Sequence, residues 1–102
     1  MTDPQPIFTA LSDPTRRAVF ERLTETGPAS ATALATQLPV SRQAVAKHLT
    51  ALAGAGLVER TQVGREVRYS AVLEPLADLD RWVAEVGSRW DARLDRLRRS
   101  LG

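Results

Sequence analysis

The sequence predicts a mainly α chain of five helices with a single β-hairpin before the last of them, an α+β arrangement. Three observations predict it. Four apolar stripes at three- and four-residue spacing each follow a capping residue or a proline. The period changes to alternation after Gly54 and Gly56. It returns to the helical period from residue 74 and keeps it to residue 101.

Pro4 and Pro6 make the first few residues a loose arm. Ile7, Phe8 and Leu11 then share one side of a short helix. Asp13-Pro14-Thr15 is a start signal, because a carboxylate caps exposed helical N–H groups and proline suits the first helical position. Val19, Phe20 and Leu23 give this second helix its buried stripe, and Thr26-Gly27-Pro28 ends it. Ser30 caps a third helix carrying Ala31, Leu34, Ala35 and Leu38, which Pro39 stops. Ser41 caps a fourth, three residues after Leu38, with Val45, His48, Leu49 and Leu52 on one face. Two helices joined by so short a turn make a helix-turn-helix candidate.

Leu57 to Val63 and Glu66 to Val72 are rich in Val and Thr, and Gly64-Arg65 forms the tip between them. A hairpin directly behind a helix-turn-helix is a wing, so the whole reads as a winged helix-turn-helix. The last helix, over 74–101, carries Leu76, Leu79, Trp82, Val83, Val86, Trp90, Leu94, Leu97 and Leu101, with Gly87 as a point of bending or weakness. At about 1.5 Å per residue it reaches roughly 40 Å, more than a compact domain of this size needs for its own core.

Composition bounds the rest. The 102 residues fit a single domain over residues 1–102, whose outer segments, 1–12 and 73–102, carry the first and last helices. The chain has no cysteine, which excludes disulfides and thiolate metal sites. No apolar run approaches membrane-spanning length, and the N-terminus lacks the basic and apolar regions of a signal peptide, so the expectation is a cytoplasmic protein with no membrane partner. The net charge of +2 is unevenly placed: −1 over residues 1–39, +3 over 40–72 and zero over 73–102. The positive middle third coincides with the fourth helix and the hairpin, which favours a polyanion partner.

With Val45, His48, Leu49 and Leu52 buried, the fourth helix turns Gln43, Lys47 and Thr50 outward, with Arg42 and Ala46 on one flank. Arg42 has the donors for a guanine edge and Gln43 the donor and acceptor for adenine, while Ala46 suits a thymine methyl. Ser41, Lys47 and Thr50 suit phosphates. From the helix alone, these residues read equally well as an ordinary solvated face. Arg60, Arg65 and Arg68 on the hairpin shift the balance, since an arginine at the tip can enter a minor groove. Arg60 and Arg68 retain the alternative of cross-strand pairing with Glu66 or Glu59.

These residues together carry a family resemblance. Asp13-Pro14-Thr15-Arg16-Arg17, Leu34-Ala35, the run Ser41 to Leu52, Gly56-Leu57-Val58, Gly64-Arg65 and Tyr69 follow in an order and spacing that resembles the ArsR family of bacterial winged-helix repressors, over residues 7–97. The tail with Trp82, Trp90, Leu94 and Leu97 is similar to a branch without metal ligands. The resemblance implies a homodimer built by the first and last helices, reading an inverted-repeat operator in double-stranded DNA. It places Ser41, Arg42, Gln43, Ala46 and Lys47 toward DNA and Arg65 on the wing.

Two departures from the family bear on sensing. Where its arsenic and cadmium sensors carry a Cys-x-Cys pair, this chain has Ala33 to Leu38. Asp78 and Asp80 on the last helix have no histidine beside them, and one His in the chain cannot build a zinc site. No metal or other cofactor is expected. His48 falls at the His of the family's recognition-helix motif, where it reads as a structural residue.

The interface expected on the stripe is Phe8, Leu11, Leu79, Trp82, Val83, Val86, Trp90, Leu94 and Leu97, although its front, from Leu76 to Val83, also suits the chain's own core. The alternative function is a winged-helix module that binds protein. Such a module calls for an apolar or acidic face on the fourth helix, which Gln43, Lys47 and Thr50 do not provide. Enzymatic chemistry is not expected, because no Ser-His-acid set or phosphate-cradling loop is present.

Overall fold

A computed structural model describes residues 3–101. It contains α1 (Gln5–Ser12), α2 (Pro14–Thr26), α3 (Ala31–Gln37), α4 (Arg42–Gly54), β1 (Val58–Val63), β2 (Glu66–Ala71) and α5 (Leu76–Leu101). This is the predicted order, five helices with the hairpin before the last. Met1, Thr2 and Gly102, the ends of the expected single domain, lie outside the described residues.

The predicted caps make their bonds. The Asp13 carboxylate accepts from the backbone N–H of Thr15 at 2.9 Å and of Arg16 at 3.4 Å. Those two bonds hold its carboxyl below the ordinary carboxylate value, helped by the charges of His48 and Arg16. Ser30 accepts from Ala33 N–H and Ser41 from Ala44 N–H, both at 3.1 Å. Gly27, at φ +82°, closes α2 by donating to the Leu23 carbonyl at 3.0 Å.

Three boundaries differ from expectation. The loose arm is shorter than predicted, because α1 starts at Gln5 with Pro6 in its first turn, where proline sacrifices no helical hydrogen bond. Leu38 leaves α3 and adopts extended backbone at φ −127°, ψ 149°. The following Pro39 disfavours a helical residue before it, so the turn between α3 and α4 spans the four residues 38–41. Gly87 neither breaks nor ends α5, which runs 26 residues through it.

The strands pair antiparallel from Val58↔Ala71 to Val63↔Glu66, leaving Gly64-Arg65 as a two-residue turn. Gly64 has φ +62°, and among the described residues only glycines have positive φ, so Arg65 does not, which is the arrangement of a type II′ turn. Ala29, between α2 and α3, adds a one-residue bridge to β2. Its N–H donates to the Tyr69 carbonyl at 3.1 Å, and the Tyr69 N–H donates back at 2.8 Å. The bridge ties the hairpin to the helices. Sequence periodicity carries no signal for it, because a single bridged residue has no period.

The core joins α1 to α4 and the hairpin base. Val19, Leu23, Leu34, Val45, Leu49 and Leu52 are all essentially inaccessible to solvent. His48 is only half-buried, at the edge of the apolar face expected for it, and its Nδ1 is shielded from solvent without a hydrogen-bond partner among the described residues. The molecule is elongated, 66 × 29 × 20 Å, with a radius of gyration of 18.2 Å. About 13 Å is usual for a compact chain of this length. The excess lies in α5, which has no buried residue.

Candidate nucleic-acid interface

The hairpin register decides which basic side chains meet. Directly opposed residues of an antiparallel pair share a face, and alternate residues along a strand share it too. Arg60 opposes Tyr69 and Gln62 opposes Val67, so these four share the face of buried Val58. Arg68 opposes Thr61 and shares the other face with Glu66.

On the first face, β1 and β2 lean over the N-terminal half of α4 and enclose a cleft of about 620 Å³. Arg42, Gln43 and Ala46 line it from α4, Arg60 and Arg65 from the hairpin, and Tyr69 forms part of its wall. The Ser41 cap starts α4 at Arg42, which sets Arg42 and Gln43 in the first turn, at the end of the helix where orphan N–H groups attract anions. The type II′ turn brings Arg65 to the same opening. None of Arg42, Arg60 and Arg65 belongs to an ion pair among the described residues. These three guanidinium groups outweigh the one carboxylate of the lining, Glu66, which is already paired with Arg68, so the concave surface is electropositive and has the fork geometry for phosphates and guanine edges.

Of the other expected DNA-facing residues, Lys47 and Thr50 are exposed on α4 beyond the cleft. The Thr50 hydroxyl donates to the Ala46 carbonyl at 3.0 Å. Ser41 is exposed, and while its oxygen accepts the capping bond, its hydroxyl proton remains free to donate. Arg68 stands apart from the cleft. Its guanidinium meets Glu66 at 3.2 Å along the same strand, so the pairing is within β2 and not across the hairpin. Arg60 makes neither of the cross-strand pairs considered for it.

Sequence reasoning missed six lining residues: Ser30, Ala31 and Thr32 at the start of α3, and Glu66, Val67 and Tyr69 on β2. A two-residue Gly64-Arg65 turn would have fixed the register and found Tyr69 opposite Arg60. Nothing local marks Ser30 or Thr32, which reach the cleft through the packing of α3 on α4.

At the far end of the molecule the expected interface residues fall into two groups. Leu11 and Leu79 are half-buried against the chain's own core. The Phe8 ring meets Trp82 edge to face with centroids 5.0 Å apart, which fixes the start of α5 on α1. Beyond that contact the stripe is open. Trp90 is 58% exposed, Leu97 54% and Leu101 80%. No helix is long and apolar enough to cross a membrane, and no group of three or more His, Cys, Asp or Glu residues is placed to hold a metal ion, among the described residues.

Known proteins share this arrangement. Residues 11–61, from the end of α1 into β1, match the family described as a helix-turn-helix domain. The chain is 43% identical over 83 residues to the HTH-type transcriptional regulator Rv2034 of Mycobacterium tuberculosis, covering 78% of this chain and 77% of the relative. The structure of an ArsR-like transcriptional regulator from Rhodococcus sp. RHA1 superposes with a TM-score of 0.80 at 47% identity, covering 92% of this chain and 88% of that one. A homodimeric winged helix-turn-helix DNA-binding domain, Mb0332 from Mycobacterium bovis, superposes at 0.65 with 26% identity over 82% and 77% of the two chains. By this likeness in sequence and fold, the chain belongs to the ArsR family of winged helix-turn-helix transcriptional regulators and is a DNA-binding regulator of transcription.

Proposed function

We propose that the protein is a homodimeric repressor that occupies an inverted-repeat operator in double-stranded DNA and blocks polymerase sterically, without metal sensing. The observation that carries this reading is the cleft between α4 and the hairpin, with Arg42, Arg60 and Arg65 all free of ion pairs. In it Arg42 and Gln43 read base edges in the major groove, Ala46 meets a thymine methyl, and Arg65 follows the adjoining minor groove. Ser41 and Lys47 hold phosphates, and Thr50 joins them when its hydroxyl turns from the Ala46 carbonyl to the DNA. Arg60 lies deeper, beside Tyr69, and contacts the backbone between the two grooves.

The open α5 stripe supports the dimer. Val83, Val86, Trp90, Leu94 and Leu97 present apolar surface along a projecting rod, which in water favours association. On this reading the segments 1–12 and 73–102 supply the dimerisation helices, α1 and α5, and the homodimeric state of the Mb0332 relative favours it. A twofold axis through the stalks sets the two α4 helices one DNA turn apart, or a multiple of it, which requires an inverted repeat. The lack of cysteine and the single histidine support regulation without a transition metal.

Selection of bound DNA from a random pool, with purified protein and no added metal, tests the whole reading. Recovery of an inverted repeat with half-sites one helical turn or a multiple apart is expected. Recovery of unrelated sequences, or a requirement for added zinc or cadmium, overturns it.

A further inference from the structure

A second groove, of about 430 Å³, lies between the outer side of α1 and the C-terminal end of α4. Gln5, Pro6 and Thr9 form one side, and Ala51, Gly54 and Ala55 the other, with Arg16 of α2 between them. The α4 side is unusually bare. A methyl at Ala51 and Ala55 and no side chain at Gly54 leave room for a ligand against the helix.

Arg16 is the polar group that gives this space its chemistry. It is half-buried, belongs to no ion pair among the described residues, and its Nε is shielded from solvent without a hydrogen-bond partner. The Nε is as closed to a ligand as it is to water, so the chemistry of the groove rests on the rest of the guanidinium, which lines it without an ion pair and binds a carboxylate better than a neutral group. Asp13, the carboxylate at the head of the same helix, is already committed to the backbone N–H groups of Thr15 and Arg16. Asp3 lines the groove as well, and its Oδ1 accepts from the Gln5 N–H at 3.0 Å. Gln5 in turn donates to the Thr9 hydroxyl at 3.2 Å.

We propose that this groove binds a small monocarboxylate, with its carboxylate on Arg16 and its hydrocarbon part along Pro6, Ala51 and Ala55, and that occupancy changes the protein's affinity for DNA. The volume lies within the range of small-molecule sites. The coupling follows from position, because one wall of the groove is the far end of the helix whose first turn enters the DNA cleft. A ligand that binds better to one setting of α4 against α1 and α2 shifts DNA affinity, and DNA shifts ligand affinity by the same factor. This regulatory half rests on the proposed reading of α4, whereas ligand binding does not.

Octanoate is the probe, titrated into ¹⁵N-labelled full-length protein without DNA, with octanol and octylamine as neutral and cationic controls. Saturable shifts of the Thr9, Ala51, Gly54 and Ala55 amides are expected, with both controls at least about tenfold weaker. Arg16→Gln should weaken octanoate at least about tenfold, and Asp3→Asn should tighten it about twofold by removing a like charge. Gly54→Leu keeps the proposal testable if Arg16→Gln fails to fold. A Cβ at Gly54 meets nothing within 4 Å, and Gly54 does not have positive φ, so the side chain is tolerated in the helix and occupies the groove. It should abolish the amide shifts. Octanol binding as well as octanoate, shifts that survive Gly54→Leu, or shifts confined to the Trp82 and Trp90 indoles overturn the site. With octanoate bound, affinity for the selected DNA should change at least about fivefold. Unchanged DNA affinity alongside mapped binding overturns the regulatory half alone, and failure to select any DNA overturns the repressor reading while leaving the site standing.

Discussion

The head of the molecule and its stalk carry the same kind of sequence pattern and put it to opposite uses. In α4, Val45, Leu49 and Leu52 recur at helical spacing and are wholly buried. In α5, Trp90, Leu94 and Leu97 recur at the same spacing, and each remains more than 40% exposed. Periodicity therefore identifies which face of a helix is apolar and says nothing of what covers it. For α4 the cover is α2, α3 and the hairpin base. For α5 the head's own apolar surface runs out near Trp82, and about five further turns extend past it. On the proposed dimer their cover is a second stalk.

The same substitution at the two ends should break differently. Leu23→Ala empties a fully buried site and should cost about 2–5 kcal/mol of unfolding free energy, read by denaturant titration. That loss should not depend on protein concentration once dimerisation is accounted for. Leu97→Ala removes no buried contact within the chain, so the head should unfold as before. Its effect belongs to assembly: a dissociation constant raised at least about tenfold in analytical ultracentrifugation, since the same contact is lost twice across a twofold axis. Equal unfolding losses at both sites would mean that α5 folds back on its own head in solution.

Within the head the comparison moves to α4 and the hairpin as partners in one cleft. Arg42 is positioned by a helix whose start is fixed by the Ser41 cap, so its loss should remove a base contact. Arg42→Ala should cost about 1–3 kcal/mol on the selected DNA and relax preference at one base position per half-site. A variant that keeps both affinity and preference would remove Arg42 from base reading and leave α4 as a backbone-binding element.

Local chemistry explains what could be read from the sequence. Asp13, Ser30 and Ser41 are all found at helix starts because a capping bond reaches only two or three residues, and that span is visible in sequence. The turn at Gly64-Arg65 is equally local. What stayed hidden depends on long-range geometry. Leu38 looks helical by period until Pro39 forces it out. Arg60 and Arg68 look alike in sequence, and the register alone sends one into the cleft and the other away. The Ala29–Tyr69 bridge and the approach of Thr32 to the cleft arise from packing that no window of sequence contains. Arg16 belongs to a motif legible at once, yet its place in the second groove is visible only when α1 and α4 are seen on either side.

The smallest effects should separate the two hairpin arginines. Arg65 opens at the tip without an ion pair, so Arg65→Ala should weaken binding to all sequences alike and reduce the slope of log affinity against log salt by about 1. Arg68 contacts the other face, yet it is electrically linked to the cleft because its partner Glu66 lines that cleft. Arg68→Ala frees a carboxylate beside the phosphates, and an exposed pair of this kind accounts for less than about 1 kcal/mol. The same substitution in a Glu66→Gln background should then have no effect on DNA affinity in a fluorescence titration at fixed salt. If the loss persists without the Glu66 charge, Arg68 itself reaches DNA, and the hairpin must rotate on binding to bring its second face to the duplex.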